Sequence, residues 1–434
     1  MKIVQALFVS GYSAFYFDDQ HAIKQGAQLD GFVYRGDAHT QGFQAIRQAG
    51  ECVSILLQLD DGSVAVGDCA AVQYSGAGGR DPLFTAQNYI PFLQKYLRPL
   101  LEGLNVDAFV PNARFFDNLK IEGQPLHTAI RYGVSQALLE ATALAKRQLK
   151  AAVLCQEYKL PRIPQPVPMF GQSGDDRYLG ADKMILKKVD VLPHGLINSP
   201  SKLGRHGEKL RDYVQWLTER IGQLGNDGRQ DYPNYQPDLH LDVYGTLGLV
   251  FDHDHKRVAE YIAELQDLTG DLKLYIEGPV DAGGKLEQME AMAGIKEHLN
   301  AISSPAKLVA DEWCNTLQDI RDFADADCCH MVQIKTPDLG SIHNVVEAIG
   351  YCQQNTVEAY QGGTCNETDL SARTCVHVAL AARPERLLIK PGMGFDEGMN
   401  VVNNEMQRAI AQFAASTPLF PSIEHQNPGH FHAH

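Results

Sequence analysis

The sequence lacks the features that mark several large classes of protein. No stretch of its 434 residues approaches the ~18 apolar residues in a row that a membrane-spanning helix needs. No basic run is present, and a net charge of −15 would repel a phosphate backbone, so nucleic acid is not an expected partner. Nine cysteines without C-x-x-C spacing argue against a disulfide framework or a zinc site. The first segment has no apolar core before a cleavage site, so we expect a globular cytoplasmic protein with reduced thiols.

The pattern of the chain changes at a proline-rich stretch. Up to about Lys159, strand-like and helix-like segments are mixed. The stretch EYKLPRIPQPVPMF then predicts an extended link, because proline fixes φ and has no amide donor. Beyond it, longer amphipathic helices alternate with eight short apolar segments: VPMFG, MILKKVDV, LHLDV, KLYIE, KLVAD, HMVQIK, VEAYQ and LLIKPG. Strand–helix repetition over about 250 residues predicts a parallel sheet closed into a (β/α)₈ barrel.

Four consecutive predicted strands end in an ionisable side chain. Three of these residues are acids, Asp242, Glu277 and Asp311, and the fourth is Lys335. Because side chains alternate between the two faces of a strand, their apolar neighbours would face the outer helices and the charged groups would point into the barrel mouth. Three buried carboxylates at one place are strongly disfavoured unless a cation joins them, and an all-oxygen set suits Mg²⁺. The pattern therefore predicts a magnesium site with Lys335 beside it.

Each of these residues also has an ordinary structural interpretation. A single Asp at a strand end is usually a turn former or a helix N-cap, and only the set of three in register favours the metal site. Lys335 alone would fit a salt bridge, whereas a proton-abstracting base needs a pKa lowered by burial and by the nearby cation. His194, at the end of the second predicted strand, either faces Lys335 across the mouth or is a hydrogen-bonded structural residue.

Two loops and the C-terminal tail carry further polar groups. The segment VQYSGAGGRDPLF contains Gln73 and several glycines, but without a G-K-[ST] ending it predicts a cover over the barrel mouth and not a nucleotide site. The segment YQGGTCNET follows the seventh predicted strand and offers Thr364, Cys365 and backbone amides beside a helix start, which suits a carboxylate. The tail HQNPGHFHAH is interpreted as disordered, with adventitious metal binding as the alternative.

Long blocks of the sequence resemble the methylaspartate ammonia-lyases of the enolase superfamily. They extend over nearly the whole chain and include QAGECV, GDCAAVQYSGAGGRDPLF, PNARFFD, FGQSGDDRY, DVLPH, DVYGT, YIEGPVDAG, VADEWCNT, CHMVQIKTPDLG, EAYQGGTCNET, SARTCVHVALAARP and LIKPGMGFDEG. The resemblance implies an α/β, enolase-like fold. It comprises an N-terminal α+β capping domain over residues 1–160 and a modified TIM (β/α)₈ barrel with the C-terminal tail over residues 161–434. It also implies a homodimer.

The same resemblance implies the reaction and the roles of the residues. The family converts (2S,3S)-3-methylaspartate reversibly to mesaconate and ammonia in glutamate degradation, with Mg²⁺ required and K⁺ as the activating cation. Asp242, Glu277 and Asp311 would hold Mg²⁺. Lys335 would take the C3 proton to give a magnesium-stabilised enediolate, and His194 would act on the opposite face. The substrate-binding residues that it implies besides His194 are Gln73, Gln172, Gln333, Thr364 and Cys365, with Phe170, Tyr360 and Leu388 around the methyl group.

Other chemistries stay open at this point. A racemase or a dehydratase of the same superfamily would use the same metal and base with different pocket residues. A Schiff-base aldolase would use Lys335 as its nucleophile and the carboxylates to move protons. A catalytically silent barrel that only binds a ligand is the third alternative, and the intact set of acids and bases disfavours it.

Overall fold

A computed structural model of the chain describes residues 1–77, 79–225, 235–392 and 394–415. Over these residues, an antiparallel sheet with flanking helices precedes a closed barrel of parallel strands. No helix in the described ranges is long and apolar enough to cross a membrane. The tail segment HQNPGHFHAH, for which the sequence predicts disorder, lies outside the described residues.

The N-terminal part mixes strands and helices, as the sequence predicts. In chain order its elements are β1 (Ile3–Asp18), α1 (Gln20–Lys24), β2 (Gln28–Asp30), β3 (Val33–Arg35), β4 (Arg47–Leu59), β5 (Val64–Cys69), α2 (Ala86–Phe92), a π-helical turn (Leu93–Leu97), α3 (Arg98–Leu101), α4 (Phe109–Asp117), β6 (Lys120–Ile121), β7 (Gln124–Pro125), α5 (Thr128–Lys146) and α6 (Lys150–Tyr158). The main sheet has the order β1–β4–β5, and α5 packs against β5.

The close packing of α5 on β5 depends on two glycines. A Cβ at Gly67 would lie 2.2 Å from the carbonyl oxygen of Gly133, and a Cβ at Gly133 would lie 2.6 Å from the amide nitrogen of Cys69. Any side chain at either position would therefore force the helix away from the sheet. Gln136 of the same helix donates from Nε2 to the carbonyl oxygen of Asp68 at 2.9 Å. These contacts fix the end of β5, from which the chain continues towards the barrel mouth.

The barrel begins directly after the proline-rich link, which contains neither helix nor strand at residues 159–168. Its elements are β8 (Met169–Phe170), α7 (Arg177–Leu186), β9 (Val191–His194), α8 (Pro200–Leu203), α9 (Glu208–Gly225), β10 (Asp238–Asp242), α10 (Thr246–Val250), α11 (His255–Leu268), β11 (Leu274–Glu277), α12 (Lys285–Ala301), β12 (Lys307–Ala310), α13 (Leu317–Asp325), β13 (Met331–Ile334), α14 (Ile342–Gln354), β14 (Glu358–Gln361), α15 (Asp369–Ala382), β15 (Arg386–Leu388) and α16 (Phe395–Ala415). Strands β8 to β15 pair in parallel in chain order, and β15 closes on β8. The predicted (β/α)₈ barrel is confirmed.

The barrel strands separate two apolar layers. Alternate residues of β10, β11 and β13 belong to the large outer core beneath the helices: Leu239, Leu241, Leu274, Ile276, Val332 and Ile334. A smaller cluster fills the interior of the barrel: Phe170, Val191, Tyr275, Val309, Met331, Tyr360 and Leu388. Four ionisable residues at the strand ends line a cavity above this inner cluster: His194, Asp242, Asp311 and Lys335. The predicted alternation of apolar and charged faces is therefore confirmed.

One predicted strand, the segment MILKKVDV, is misplaced. Its first residues, Met184 and Ile185, belong to the end of α7, and the strand β9 begins only at its last residue, Val191. Both side chains are fully buried on the inner side of the helix. A short apolar run is common to a buried helix end and a buried strand, so the pattern alone could not separate the two. The helix ends before Lys188, which has a φ of 54°.

Candidate active site

Three carboxylates converge at the carboxyl ends of neighbouring barrel strands. Asp242 is the last residue of β10, Glu277 is the last residue of β11, and Asp311 follows β12 directly. One carboxylate oxygen from each lies within 4.8 Å of the other two. All three residues are buried, with Asp311 the most exposed at 8%. The structure thus brings together the three residues for which the sequence predicts a shared metal ion.

The electrostatics of this cluster favour a bound cation. Burial and repulsion by the neighbouring carboxylates raise the pKa of Asp242 and of Glu277 well above the ordinary range. The positive charge around these carboxylates is therefore too small to offset the cost of desolvating their ionised forms. The cluster offers oxygen atoms alone, which are the donors that a hard divalent cation takes. The residues present fit Mg²⁺.

The raised pKa values predict that magnesium binding at this cluster depends on pH. At the predicted metal site, protons would compete with Mg²⁺ for the oxygens of Asp242 and Glu277, and a higher pKa means that the proton competes better. We expect the apparent Mg²⁺ affinity to fall as the pH is lowered below neutrality, and binding to release protons. Isothermal titration calorimetry in two buffers of different ionisation enthalpy measures both. Binding without proton release across that range would contradict the prediction, and Asp242→Asn should release fewer protons than the unchanged protein.

Lys335 and His194 stand on opposite sides of the carboxylate cluster. Lys335 follows β13 directly and His194 ends β9, and these two strands lie across the eight-stranded barrel from each other. Lys335 Nζ lies 2.8 Å from Asp311 Oδ1, and His194 Nε2 lies 3.5 Å from Asp242 Oδ2. Both side chains line the same cavity. A small molecule in this cavity would have the amine of Lys335 on one side and the imidazole of His194 on the other.

The pKa values of these two groups are displaced in opposite directions. Burial lowers the pKa of His194 to about 4. Burial acts in the same sense on Lys335, but the charge of Asp311, with further acids nearby, outweighs it and raises the pKa of Lys335 above its ordinary value. Of the two causes expected to lower the Lys335 pKa, burial does act in that direction, but the carboxylate of Asp311 at 2.8 Å and the other nearby acids together outweigh it.

Most of the other predicted site residues line the same cavity: Gln73, Gln172, Gln333, Tyr360, Thr364, Cys365 and Leu388. Phe170 lies deeper, in the barrel interior. Its ring stacks on the imidazole of His240 with the centroids 4.3 Å apart, and it meets the ring of Tyr360 edge-on at 5.3 Å. Phe170 therefore supports the cavity floor through Tyr360.

Gln73 reaches the cavity from the N-terminal part of the chain and is held by a series of contacts. Its Nε2 donates to Asp18 Oδ2 at 2.7 Å, and Asp18 accepts two bonds of 2.7 Å from Arg47. Its Oε1 accepts from Cys365 Sγ at 3.3 Å. The loop that the sequence predicts as a cover contributes four residues to the cavity wall: Val72, Gln73, Tyr74 and Arg80.

Two glutamines offer hydrogen-bond acceptors at the cavity. Gln172 Nε2 donates to the carbonyl oxygens of Ile389 and Gly392 at 3.2 and 3.0 Å. Because carbonyl oxygens only accept hydrogen bonds, the –NH₂ group of Gln172 must face them. Its Oε1 then remains as an acceptor for another partner. Gln333 donates from Nε2 to Glu277, and its buried Oε1 has no hydrogen-bond partner among the described residues. A ligand with N–H donors would satisfy both oxygens.

Eight residues of the cavity wall were not named as site residues from the sequence: Gln20, Val72, Tyr74, Arg80, Leu196, Tyr244, Glu312 and Gly363. Arg80 lies 2.9 Å from Asp338 and 3.9 Å from Glu312, so it ties the cover loop to the turn after Lys335. Glu312 and Tyr244 adjoin the predicted metal ligands in sequence, which is a usable signal. Nothing near Arg80 in the sequence points to its partners.

Two family profiles match the chain. The profile for the methylaspartate ammonia-lyase N-terminus covers residues 1–159, and the profile for the C-terminus covers residues 162–415. The chain is 65% identical over 412 residues to methylaspartate ammonia-lyase of Citrobacter amalonaticus, across 95% of this chain and 98% of that protein. It is 54% identical over 413 residues to methylaspartate ammonia-lyase 2 of Carboxydothermus hydrogenoformans, with 95% and 98% covered.

Solved structures agree with the sequence relatives. The Citrobacter amalonaticus enzyme, crystallised with (2S,3S)-3-methylaspartic acid, has a TM-score of 0.93 at 65% identity over 95% of this chain and 100% of that one. The magnesium complex of β-methylaspartase from Clostridium tetanomorphum has a TM-score of 0.91 at 51% identity, with 96% and 100% covered. Muconate cycloisomerase from Pseudomonas fluorescens, at 15% identity and a TM-score of 0.57 over 87% and 84%, shares the fold alone. The resemblance seen in the sequence is confirmed, and the chain belongs to the methylaspartate ammonia-lyase family.

Proposed function

We propose that the protein is a magnesium-dependent lyase that eliminates ammonia from (2S,3S)-3-methylaspartate and releases mesaconate. The observation that carries the proposal is the placement of Lys335 and His194, which face one cavity from opposite sides of three clustered carboxylates. The relative from Citrobacter amalonaticus, whose crystal structure contains (2S,3S)-3-methylaspartic acid, supports the choice of substrate.

Asp242, Glu277 and Asp311 are the proposed magnesium ligands. Mg²⁺ in this position supplies positive charge to the substrate carboxylate beside the carbon that loses its proton. The oxygen-only donor set supports this assignment, as does the magnesium complex of the Clostridium tetanomorphum relative.

Lys335 is the proposed base that removes the proton from C3 of the (2S,3S) substrate. Its Nζ must be neutral to accept a proton, and the ion pair with Asp311 opposes this. The fraction of Lys335 in the neutral form therefore depends on how strongly the carboxylate of Asp311 stabilises the ammonium form. His194, which burial keeps neutral near physiological pH through a pKa of about 4, is the proposed acid/base on the opposite face.

The polar groups of the wall are proposed to bind the two ends of the substrate. Gln172 and Gln333 each offer an acceptor oxygen, which matches the N–H donors of the substrate ammonium group. Thr364 and the backbone amide of Cys365 are the proposed partners of a substrate carboxylate, and Gln73 meets them from the N-terminal part.

The methyl group of the substrate requires an apolar surface. Tyr360 and Leu388 belong to the inner apolar cluster and also line the cavity, and Phe170 packs behind them. We assign the methyl pocket to these three side chains. Four further properties that the family resemblance implies are also part of the proposal: activation by K⁺, a homodimer, a cytoplasmic location and a place in glutamate degradation.

Ultraviolet detection of mesaconate from 3-methylaspartate tests the proposed function. With Mg²⁺ and K⁺ present we expect product, with EDTA none, and after excess Mg²⁺ is restored the full rate again. Omission of K⁺ alone should lower the rate and tests its role separately. Product that is insensitive to EDTA would contradict the metal site. No product under any of these conditions would favour a racemase or a dehydratase of the same superfamily.

A further inference from the structure

A series of buried side chains crosses the barrel interior and ends on Glu277. His240 Nε2 lies 2.7 Å from Glu277 Oε2, and Arg386 Nη1 lies 3.1 Å from His240 Nδ1. Arg386 also donates from Nη2 to Asp238 Oδ2 at 3.0 Å. His240 and Arg386 are 0% and 2% exposed, and neither is among the residues that line the cavity. Their contacts therefore act on Glu277 from behind the proposed metal site.

The chemistry of arginine determines which nitrogen of His240 carries the proton. A guanidinium group only donates hydrogen bonds, so His240 Nδ1 must accept the bond from Arg386. The proton of the neutral imidazole is then on Nε2, which donates it to Glu277 Oε2. Gln333 Nε2 donates to the other oxygen, Oε1. Each oxygen of Glu277 thus accepts one bond from the protein and keeps a second lone pair for another partner.

Aromatic rings hold the imidazole of His240 in place. Phe170 stacks on it with centroids 4.3 Å apart and planes 20° apart, and Tyr275 lies nearly parallel to it at 5.9 Å. The guanidinium of Arg386 lies 4.0 Å from the centroid of the Tyr275 ring. A rotation of the imidazole would have to displace these rings. The N–H of His240 therefore stays directed at Glu277.

We propose that His240 and Arg386 are positioning residues that orient the carboxylate of Glu277 for magnesium. The inference rests on the proposed metal site. It extends that site to two residues that do not line the cavity and act on Glu277 from the barrel interior. Partners behind a metal ligand fix its orientation, and their loss typically weakens metal binding by about 10- to 100-fold. If the Arg386–Asp238 ion pair had a purely structural role, its loss would lower the stability of the protein and leave the magnesium affinity unchanged.

Isothermal titration calorimetry with Mg²⁺ alone tests the proposal without relying on activity. We expect His240→Phe to bind Mg²⁺ about 10- to 100-fold more weakly than the unchanged protein. His240→Gln should restore most of the affinity, because its amide N–H can replace the Nε2–H donor. His377 provides a matched control, since it is 3% exposed and pairs with Glu405 at 3.1 Å outside the barrel. His377→Phe should leave the Mg²⁺ affinity unchanged.

Three results would overturn the inference. The first is wild-type affinity in a folded His240→Phe variant, and the second is a His240→Gln variant that binds no better than His240→Phe. If His240→Phe does not fold, Arg386→Lys replaces it, because a single ammonium cannot reproduce the two-pronged contact with His240 and Asp238. Unchanged affinity in Arg386→Lys is the third. An unmodified protein that binds no Mg²⁺ would instead remove the proposed function, and this inference with it.

Discussion

Replacing Lys335 by alanine is expected to lower kcat for (2S,3S)-3-methylaspartate by roughly 10²- to 10⁴-fold, the usual contribution of a positioned base. The side chain is the amine at the cavity on the β13 side, where it contacts Asp311 at 2.8 Å. Its removal leaves the three carboxylates in place and frees Asp311 from a competing cation. Magnesium affinity should therefore be retained or increased. Initial rates at saturating Mg²⁺ measure kcat, circular dichroism measures the folded structure, and calorimetry measures the magnesium affinity of the same samples.

The matched control for Lys335→Ala is His194→Ala. Because the two residues flank the cavity from opposite strands, His194→Ala should mainly impair the epimer with the opposite configuration at C3. Substantial activity of Lys335→Ala on the (2S,3S) substrate would remove Lys335 from the role of base. Equal losses for both epimers in both variants would contradict the assignment of one group to each face.

Replacing Lys390 by methionine is expected to destabilise the protein by about 3–5 kcal/mol, the cost of leaving one member of a buried ion pair without its partner. Lys390 Nζ lies 2.6 Å from Glu367 Oε1, and both side chains are 0% exposed. The ammonium also donates to Thr336 Oγ1 at 3.0 Å and to the carbonyl oxygen of Gly362 at 2.8 Å. Methionine supplies none of these donors.

The same ion pair connects separate parts of the active site, so activity should fall together with stability. Tyr132 of α5 donates to the second carboxylate oxygen of Glu367 at 2.8 Å. Thr336 follows Lys335 in the chain, and Gly362 opens the loop that carries the proposed carboxylate-binding residues. Loss of the ammonium therefore loosens the contact of the N-terminal part with two strand ends of the barrel at once.

Urea unfolding followed by circular dichroism measures the loss of stability in Lys390→Met. The double variant Lys390→Met/Glu367→Gln should recover part of it, because no unpaired charge is left in the interior. Lys183→Met is the surface control: Lys183 is 45% exposed in its ion pair with Asp396 and should contribute no more than about 1 kcal/mol. A cost for Lys390→Met that does not exceed this control would contradict the prediction.

The parts of the site that the sequence predicts are those with a local signal. Asp242 and Glu277 each end a strand whose alternation spans only a few residues, and that period assigns them to the inner face. The order of strands in a parallel barrel then places their ends side by side. By contrast, the end of α7 carries the same apolar residues as a strand, and the position of β9 could not be read from them.

The parts that escape prediction depend on partners far apart in the chain. Arg80 and Asp338 are separated by 258 residues, and Tyr132 and Glu367 by 235. No short window of sequence contains either pair. The direction of the Lys335 pKa has the same origin. Burial and the surrounding acids act on the pKa of Lys335 in opposite senses, and the positions of Asp311, Glu312 and Asp338 around the amine decide between them.

The contact of Gln73 with Cys365 bears on how enzymes of this kind can diversify. The proposed acid–base and metal-binding groups come from the barrel, whereas Gln73 and Tyr74 complete the cavity wall from the N-terminal part of the chain. A gene fusion made at the proline-rich link would thus change the part of the cavity wall that Gln73 and Tyr74 form and keep the proposed groups of the barrel. Such a chimera needs compatible residues wherever the two parts meet, including the contacts of Gln73 with Cys365, of Arg80 with Asp338 and of Tyr132 with Glu367.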